Sequence, residues 1–371
     1  MKSEYHEMKK EITRLVMASR SISTTDRGEK PRFISYDQIV RPSGEQVGRK
    51  KVILMTRGCS VPTCTMCPFT NENYYGSSQD INLDVIKQIQ DVLVRTNSEP
   101  SYEVLALYND GSFFAPSELP DNIRDEIARI ISRSDVRELV VESLPQFITR
   151  ERLEPFVKQL GKVNLEVGIG LQSSNFFVRE VCVNTSFSNK CFENAIEILR
   201  SLDVIPKIYL MIKPPFLSEE EGIADALNSI EYVSKLGLTS VTLCPTRVAK
   251  NTLAWGLYNL GLYTPPNLWS IISILKEAAS TMQLRVACIN LMGSDFESIF
   301  PSSCDKCKSQ IVDGIAQFSL SGMLEYLPED CSCRPSSNIR QIISNFDIKS
   351  LEARVSDNIS SLKQTLVTKE R

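Results

Sequence analysis

The spacing of apolar positions switches repeatedly between helical and extended along this chain. Residues 1–20 set Ile12, Leu15 and Val16 at helical spacing among Lys and Glu, which predicts an amphipathic helix. Residues 21–50 are polar and punctuated by Gly and Pro, and read as an irregular arm carrying a basic cluster, Gly48-Arg49-Lys50-Lys51, at a solvated strand entry. Residues 52–55 form a short, apolar, β-branched strand. Beyond it, helical patterns over 81–94, 117–131, 149–160, 188–202 and from Ser218 alternate with apolar runs at 103–108, 137–142, 165–170, 206–212 and 238–243. Thr149 and Ser218 stand where helix caps are expected. Six strands separated by helices predict an α/β fold with a parallel sheet, a partial (β/α)6 barrel. A further helix and strand follow across 265–290, then a helix over 309–318 and a long polar helix over 339–367. The expected organisation is an N-terminal helix and arm (1–50), a partial barrel (51–245) and a C-terminal extension (246–371).

Composition narrows the chemistry. At 371 residues, 42% hydrophobic and 23% charged, the chain has the make-up of a soluble globular protein with a sizeable core. A net charge of −3 supplies no overall pull toward nucleic acid. Residues 1–20 are too charged for a signal peptide, and no run approaches the roughly 18 apolar residues of a membrane span, so a cytoplasmic protein without a membrane anchor is expected. His6 is the sole histidine, which removes histidine-based acid–base schemes and Ser-His-Asp triads. The chemistry must come from a cofactor or from other residue types. Eleven cysteines, grouped in part as C-x2-C and C-x-C, favour metal over disulfides.

The first cysteine group follows the strand at 52–55. Cys59, Cys64 and Cys67 are spaced C-x4-C-x2-C on one loop, and the next cysteine, Cys182, is more than a hundred residues away. A [4Fe–4S] cluster normally takes four thiolates, so a three-cysteine loop leaves one iron for an outside ligand. Spacing alone also fits the start of a plant-type ferredoxin pattern or a zinc loop. The second group is Cys304-x2-Cys307 with Cys331-x-Cys333, which has the ligand count of a closed zinc site or an auxiliary Fe–S cluster.

In a parallel α/β sheet the ligand site lies at the carboxyl ends of the strands. After the second strand, Asn109-Asp110-Gly111-Ser112 offers free backbone groups that can hold an amino acid. Glu142-Ser143 after the third and Gln172 after the fourth can bond hydroxyls or a carboxylate, with Asn184 a further polar candidate. Lys213, stiffened by two following prolines, and Arg247 after the sixth strand are candidate anion clamps for substrate.

A strand followed by a three-cysteine loop, with Phe69 just beyond the third cysteine, resembles the radical S-adenosylmethionine (SAM) superfamily. The longer first spacing points to its Elp3-like branch. Five further stretches narrow the resemblance to the radical SAM subunit of archaeosine synthase: V-E-S-L-P-Q-F, G-I-G-L-Q-S, K-I-Y-L-M-I-K-P-P-F-L-S-E, the box from Tyr263 to Ser270, and C-D-K-C with C-S-C. The resemblance implies a [4Fe–4S] cluster on Cys59, Cys64 and Cys67, with SAM held by the open iron and by Phe69, Asn109, Asp110, Gly111, Ser112, Glu142, Ser143 and Gln172. It implies a 5′-deoxyadenosyl radical that abstracts hydrogen from a lysine carried on a 7-deazaguanine base of tRNA, with C–N cleavage to archaeosine. The implied partners are tRNA, a lysine-transferring archaeosine synthase subunit and an electron donor such as ferredoxin or flavodoxin. The chain departs from that family at Asn184-Thr185-Ser186-Phe187, where the family has N-K-G-F, at Gln172, and around Cys244-Pro245-Thr246-Arg247. Two other readings follow from those departures: a radical SAM enzyme for a small molecule or peptide, and a non-catalytic Fe–S or zinc protein.

Overall fold

A computed structural model describes residues 2–21, 28–41, 44–72, 78–94, 98–287, 297–335 and 338–369. Helix α1 (Lys2–Ser19) precedes a hairpin of β1 (Phe33–Val40) and β2 (Gln46–Ile53). Helices and strands then alternate: α2 (Ser78–Leu93), β3 (Val104–Tyr108), α3 (Asp121–Ser132), β4 (Glu138–Glu142), α4 (Arg150–Leu160), β5 (Asn164–Gln172), α5 (Asn189–Ser201), β6 (Ile205–Ile212), α6 (Glu219–Lys235) and β7 (Ser240–Pro245). The remainder comprises β8 (Val248–Ala249), α7 (Leu253–Asn259), α8 (Leu268–Ala278), β9 (Gln283–Val286), β10 (Ser298–Ile299), α9 (Lys308–Ser321), α10 (Ile339–Ser344) and α11 (Ile348–Lys369).

The main sheet has eight strands in the order β1-β2-β3-β4-β5-β6-β7-β9. Only β1 is antiparallel; β2 to β7 and β9 run parallel. Alternate residues divide its two faces. Leu105, Leu107, Leu139, Val141, Val167, Ile169, Ile208 and Leu210 pack outward in the main core beneath the helices. Val104, Ala106 and Val140 line the inner face with Val47. The sheet curls into a half-barrel whose edges meet: Arg285 on β9 donates Nη2–H to the Val40 carbonyl on β1 at 2.9 Å. Helix α9 packs against both edge strands and covers the seam.

The irregular arm expected over 21–50 is a hairpin over much of its length, because β1 and most of β2 lie there and pair from Phe33–Ile53 to Val40–Gln46; residues 22–27 and 42–43 lie outside the described residues. The charges that hid these strands are taken up inside the fold. Lys50 is buried under α2, donating to the Val92 carbonyl at 2.7 Å and to Glu99 at 3.2 Å. Arg49 and Lys51 both reach Asp37 across the hairpin, at 2.7 and 3.0 Å. Strand β9 adds a seventh parallel strand beyond the six counted from the pattern. The helix expected from residue 117 starts at Asp121, since Pro120 occupies its cap position. Ser218 does cap α6, in a reciprocal capping box with Glu221.

A second apolar core lies over the carboxyl ends of the strands. It joins Ile12, Leu15 and Val16 of α1, Phe177, Val178 and Val181 beyond β5, Leu253 and Leu257 of α7, and Leu351, Val355 and Ile359 of α11. Both terminal helices thereby roof the half-barrel. Among the described residues no helix is long and apolar enough to cross a membrane.

Candidate active site

The cysteine loop leaves the top of β2 and crosses the mouth of the half-barrel. It is gripped at both ends. On the near side the Leu54 N–H donates to the Tyr108 carbonyl at 2.7 Å, and the Thr56 hydroxyl donates to the Asn109 carbonyl at 3.0 Å. Buried Glu118 then ties the loop to the turn after β3. It accepts from the Ser60 N–H and hydroxyl, both at 2.7 Å, from Asn109 Nδ2 at 3.1 Å and from the Ser112 N–H. Gly111 lies between them, and a Cβ there would stand 2.0 Å from Glu118 Oε2 and 2.9 Å from the Cys59 Cα. Only glycine allows this approach.

On the far side the loop is sewn to the segment beyond β5, a π-helical turn at Val178–Cys182 followed by Asn184 at φ 66°. Thr65 donates its N–H to Val183 O at 3.1 Å and its hydroxyl to Cys182 O at 2.7 Å. Asn184 donates Nδ2–H to Thr63 O at 2.7 Å, while Thr63 returns its hydroxyl to Asn184 O at 2.9 Å. Arg20 at the end of α1 donates to Pro62 O at 2.7 Å, and the Ala254 N–H of α7 to Thr65 O at 3.0 Å. Asn184 therefore holds the loop in place. This staple joins residues more than a hundred positions apart, so no local pattern announces it.

Burial raises the thiol pKa values of Cys59, Cys64 and Cys67, and the neighbouring sulfurs raise those of Cys59 and Cys64 further. Arg20 and Lys9 act in the opposite sense on Cys64, and Arg20 and Arg247 on Cys67. Cys182 gives the loop its backbone carbonyl only; its side chain belongs to the second core. Among the described residues the three loop thiols form no compact ligand group, either with one another or with a fourth ligand. Phe69 opens a short 3₁₀ turn, and the guanidinium carbons of Arg32 and Arg247 lie 5.8 and 5.7 Å from its ring centroid. Arg32 also pairs with Asp110 at 2.7 Å. A crevice bounded by Arg32, Thr56, Gly58, Asn109 and Asp110 lies beside the loop. A larger cleft, at Leu93, Tyr102 and residues 133–136, sits where β3 and β4 begin, at the opposite end from the cysteines.

The other strand-end residues divide. Glu142 faces the lumen; burial raises its carboxyl pKa, while a hydrogen bond with Tyr209 and the charge of Lys207 act against that rise. Gln172, at φ 67° beside a bulge in β5, folds its amide back to within 2.2 Å of where a Gly170 Cβ would be. Ser143 is buried, with its N–H donated to Gly168 O at 2.9 Å. Lys213 is engaged within the fold: its buried ammonium donates to Glu219 at 2.7 Å and to Thr264 at 3.2 Å. Lower in the lumen Lys207 and Glu166 pair at 2.9 Å. Tyr108, Tyr209, Glu166 and Lys207, like Glu118, are site residues that the motif reading missed. The strands' alternation could have placed all but Glu118 on the inner face.

The second cysteine set forms a compact tetrad. Sulfur separations are 3.5 Å for Cys304–Cys307, 3.6 Å for Cys304–Cys331, 3.5 Å for Cys307–Cys333 and 3.6 Å for Cys331–Cys333. All four sulfurs lie within 4.8 Å of one another. Cys307 stands at the cap of α9, and Cys304 to Cys307 make a tight turn closed by the Cys307 N–H to Cys304 O bond at 3.2 Å.

No protein-family model matches the chain. It is similar to an uncharacterised protein of Methanocaldococcus jannaschii, 29% identical over 315 residues, covering 80% of this chain and 83% of that one. It is similar at 29% identity over 299 residues to archaeosine synthase subunit beta of Methanosarcina acetivorans, covering 79% of this chain and 84% of the relative. The beta subunit of Thermococcus kodakarensis matches at 29% over 231 residues, covering 60% of this chain and 70% of that one. Among solved structures, methylornithine synthase (PylB) overlaps 80% of this chain and 79% of its own, at 11% identity and a TM-score of 0.46. Elp3 of Methanocaldococcus infernus overlaps 65% of this chain and 59% of its own, at 16% identity and a TM-score of 0.44. With a three-cysteine loop at the head of a curled parallel sheet, the chain is thus similar over most of its length to proteins that include an archaeosine synthase beta subunit, at 29% identity.

Proposed function

We propose that the protein is a radical SAM enzyme that matures a lysine-modified 7-deazaguanine in tRNA to archaeosine, working with a lysine-transferring partner subunit. The observation that carries the reading is the loop itself: three thiols, Cys59, Cys64 and Cys67, on one short loop that Glu118, Thr65 and Asn184 hold at the carboxyl ends of the strands. The names of two relatives supply the substrate.

The residues present fit a [4Fe–4S] cluster and SAM. Cys59, Cys64 and Cys67 would hold the cluster, with Arg20, Lys9 and Arg247 offsetting its negative thiolates. The Asn109 Oδ1 is buried without a hydrogen-bond partner beside the loop, an acceptor suited to an ammonium group. When bound, the cluster and SAM would supply the radical chemistry for hydrogen abstraction at the lysine moiety and loss of its C–N bond. The chain's own part is positional. Glu118 fixes the distance between the cysteine loop and the Asn109–Ser112 turn, where the methionyl end of SAM would lie. Phe69, Glu142, Ser143 and Gln172 would frame the rest of SAM. The lumen residues Tyr108 and Tyr209 would meet the substrate, with Arg247 at the rim. The apolar core shared by α1 and α11 would shield the mouth from water. An electron from a donor of the ferredoxin or flavodoxin class is required.

The test is anaerobic. Reconstituted protein, dithionite and SAM are incubated with and without lysine-modified tRNA, and 5′-deoxyadenosine and archaeosine are measured. Both products are expected with the tRNA. Loaded cluster with no 5′-deoxyadenosine would sink the enzyme reading; 5′-deoxyadenosine without archaeosine would sink only the substrate.

A further inference from the structure

We propose that Cys304, Cys307, Cys331 and Cys333 bind a single tetrahedral zinc ion that fastens the C-terminal extension to the wall of the half-barrel, separate from the radical centre. The geometry decides between one ion and a cluster. Four thiolates at a zinc–sulfur distance of about 2.3 Å on a tetrahedron stand about 3.8 Å apart. The observed separations of 3.5 to 3.6 Å along four edges of the tetrad are close to that spacing. A four-iron cluster puts each thiolate on its own iron and a two-iron cluster puts two on each, and in both the body of the cluster holds thiolates on different irons further apart than the 4.8 Å that spans this whole tetrad. The set is also closed: four sulfurs complete the shell, with no position left for substrate.

The surroundings show what an ion there would fasten. Cys307 starts α9, the helix that covers the seam between β9 and β1. Just before the tetrad, Ser302 accepts from the Leu268 N–H at 3.1 Å, which anchors the segment at the start of α8. At that start the Asn267 N–H donates to Glu219 at 2.7 Å, and Glu219 holds Lys213 at the end of β6. On the other side Arg334, next to Cys333, lies 5.5 Å from the ring centroid of buried Trp269 on α8. One ion thus joins two chain segments, around residues 304 and 331, onto α8 and α9. Between the two segments, residues 321–326 are exposed, and the chain is buried again at Leu327.

The experiment uses the full chain with Cys59, Cys64 and Cys67 all replaced by Ala, purified without air, and measures zinc, iron and acid-labile sulfide. About one zinc per chain with neither iron nor sulfide is expected. Iron, with or without sulfide, or no metal at all overturns the proposal. A second measurement does not depend on that variant's folding. Replacing zinc by cobalt in the parent protein should give the intense visible bands of tetrahedral cobalt–thiolate. Those bands should be lost in Cys331→Ser, while iron at the radical centre stays at the parental level. Bands that persist in Cys331→Ser, or iron lost with them, would also overturn it.

Discussion

The two cysteine sets carry the same ligand atom and differ in how the fold presents it. At the mouth, three thiols sit on a loop stretched between distant parts of the chain: Glu118 on one side, Val183, Asn184 and Ala254 on the other. In the extension, four thiols come from two short turns and close on one another at 3.5 to 3.6 Å. The first set lies beside a narrow crevice bounded by Arg32, Thr56, Gly58, Asn109 and Asp110. The second gathers all four of its sulfurs within 4.8 Å of one another. A cysteine count gives what a site can bind; whether the site stays open depends on the packing around it.

The largest effect expected from breaking this contrast is in Cys59→Ala. It should reduce 5′-deoxyadenosine formation to the level of a no-enzyme control while leaving about one zinc per chain, measured by chromatography and elemental analysis. Next is Glu118→Ala, which strips a buried carboxylate from four donors. A loss of roughly 3–5 kcal/mol in denaturant unfolding is expected, together with a lower iron content at unchanged zinc. Unchanged iron would separate Glu118 from the loop.

A third prediction concerns the scaffold beyond β5 that grips the loop. Asp225 accepts from Ser173 at 2.6 Å, and burial pushes its carboxyl from 3.8 up to about 7, against the pull of Arg179. The folded chain then holds this proton over a range in which the unfolded chain has lost it. Its contribution to stability is present at low pH and declines as pH rises between those two values. Asp225→Asn should remove the decline. Relative to the parent, it should gain on the order of 2–4 kcal/mol between about pH 5 and about pH 8, read from denaturant midpoints at the two pH values. A difference that does not change with pH would refute the assignment. The smallest effect is at the surface: Lys250→Ala breaks the exposed 2.7 Å pair with Glu297 and should leave both metal contents and the unfolding midpoint unchanged.

Much of the barrel was legible because its strands and helices announce themselves locally. The outward faces of β3 to β7 are runs of Val, Leu and Ile, and Ser218 and Glu221 spell out their own capping box. The hairpin of β1 and β2 was not legible. Its Arg49, Lys50 and Lys51 look solvated until Asp37 and Glu99 arrive from elsewhere in the chain. Lys213 and Arg247 read alike in the sequence, as cations after a strand. The fold engages the first with Glu219 and Thr264 and sets the second beside Phe69 and Cys67.

By itself, the sequence determined the alternation of strands and helices, the two cysteine spacings and the absence of histidine chemistry, since each depends on residues close in the chain or on composition alone. Tertiary structure decided that β9 joins the sheet and that Arg285 brings its edges together. It also decided that Glu118 and Asn184 hold the cysteine loop across the mouth, and that the late four sulfurs converge on one point. Those are contacts between residues remote in sequence, formed only when burial makes each buried donor and acceptor find a partner.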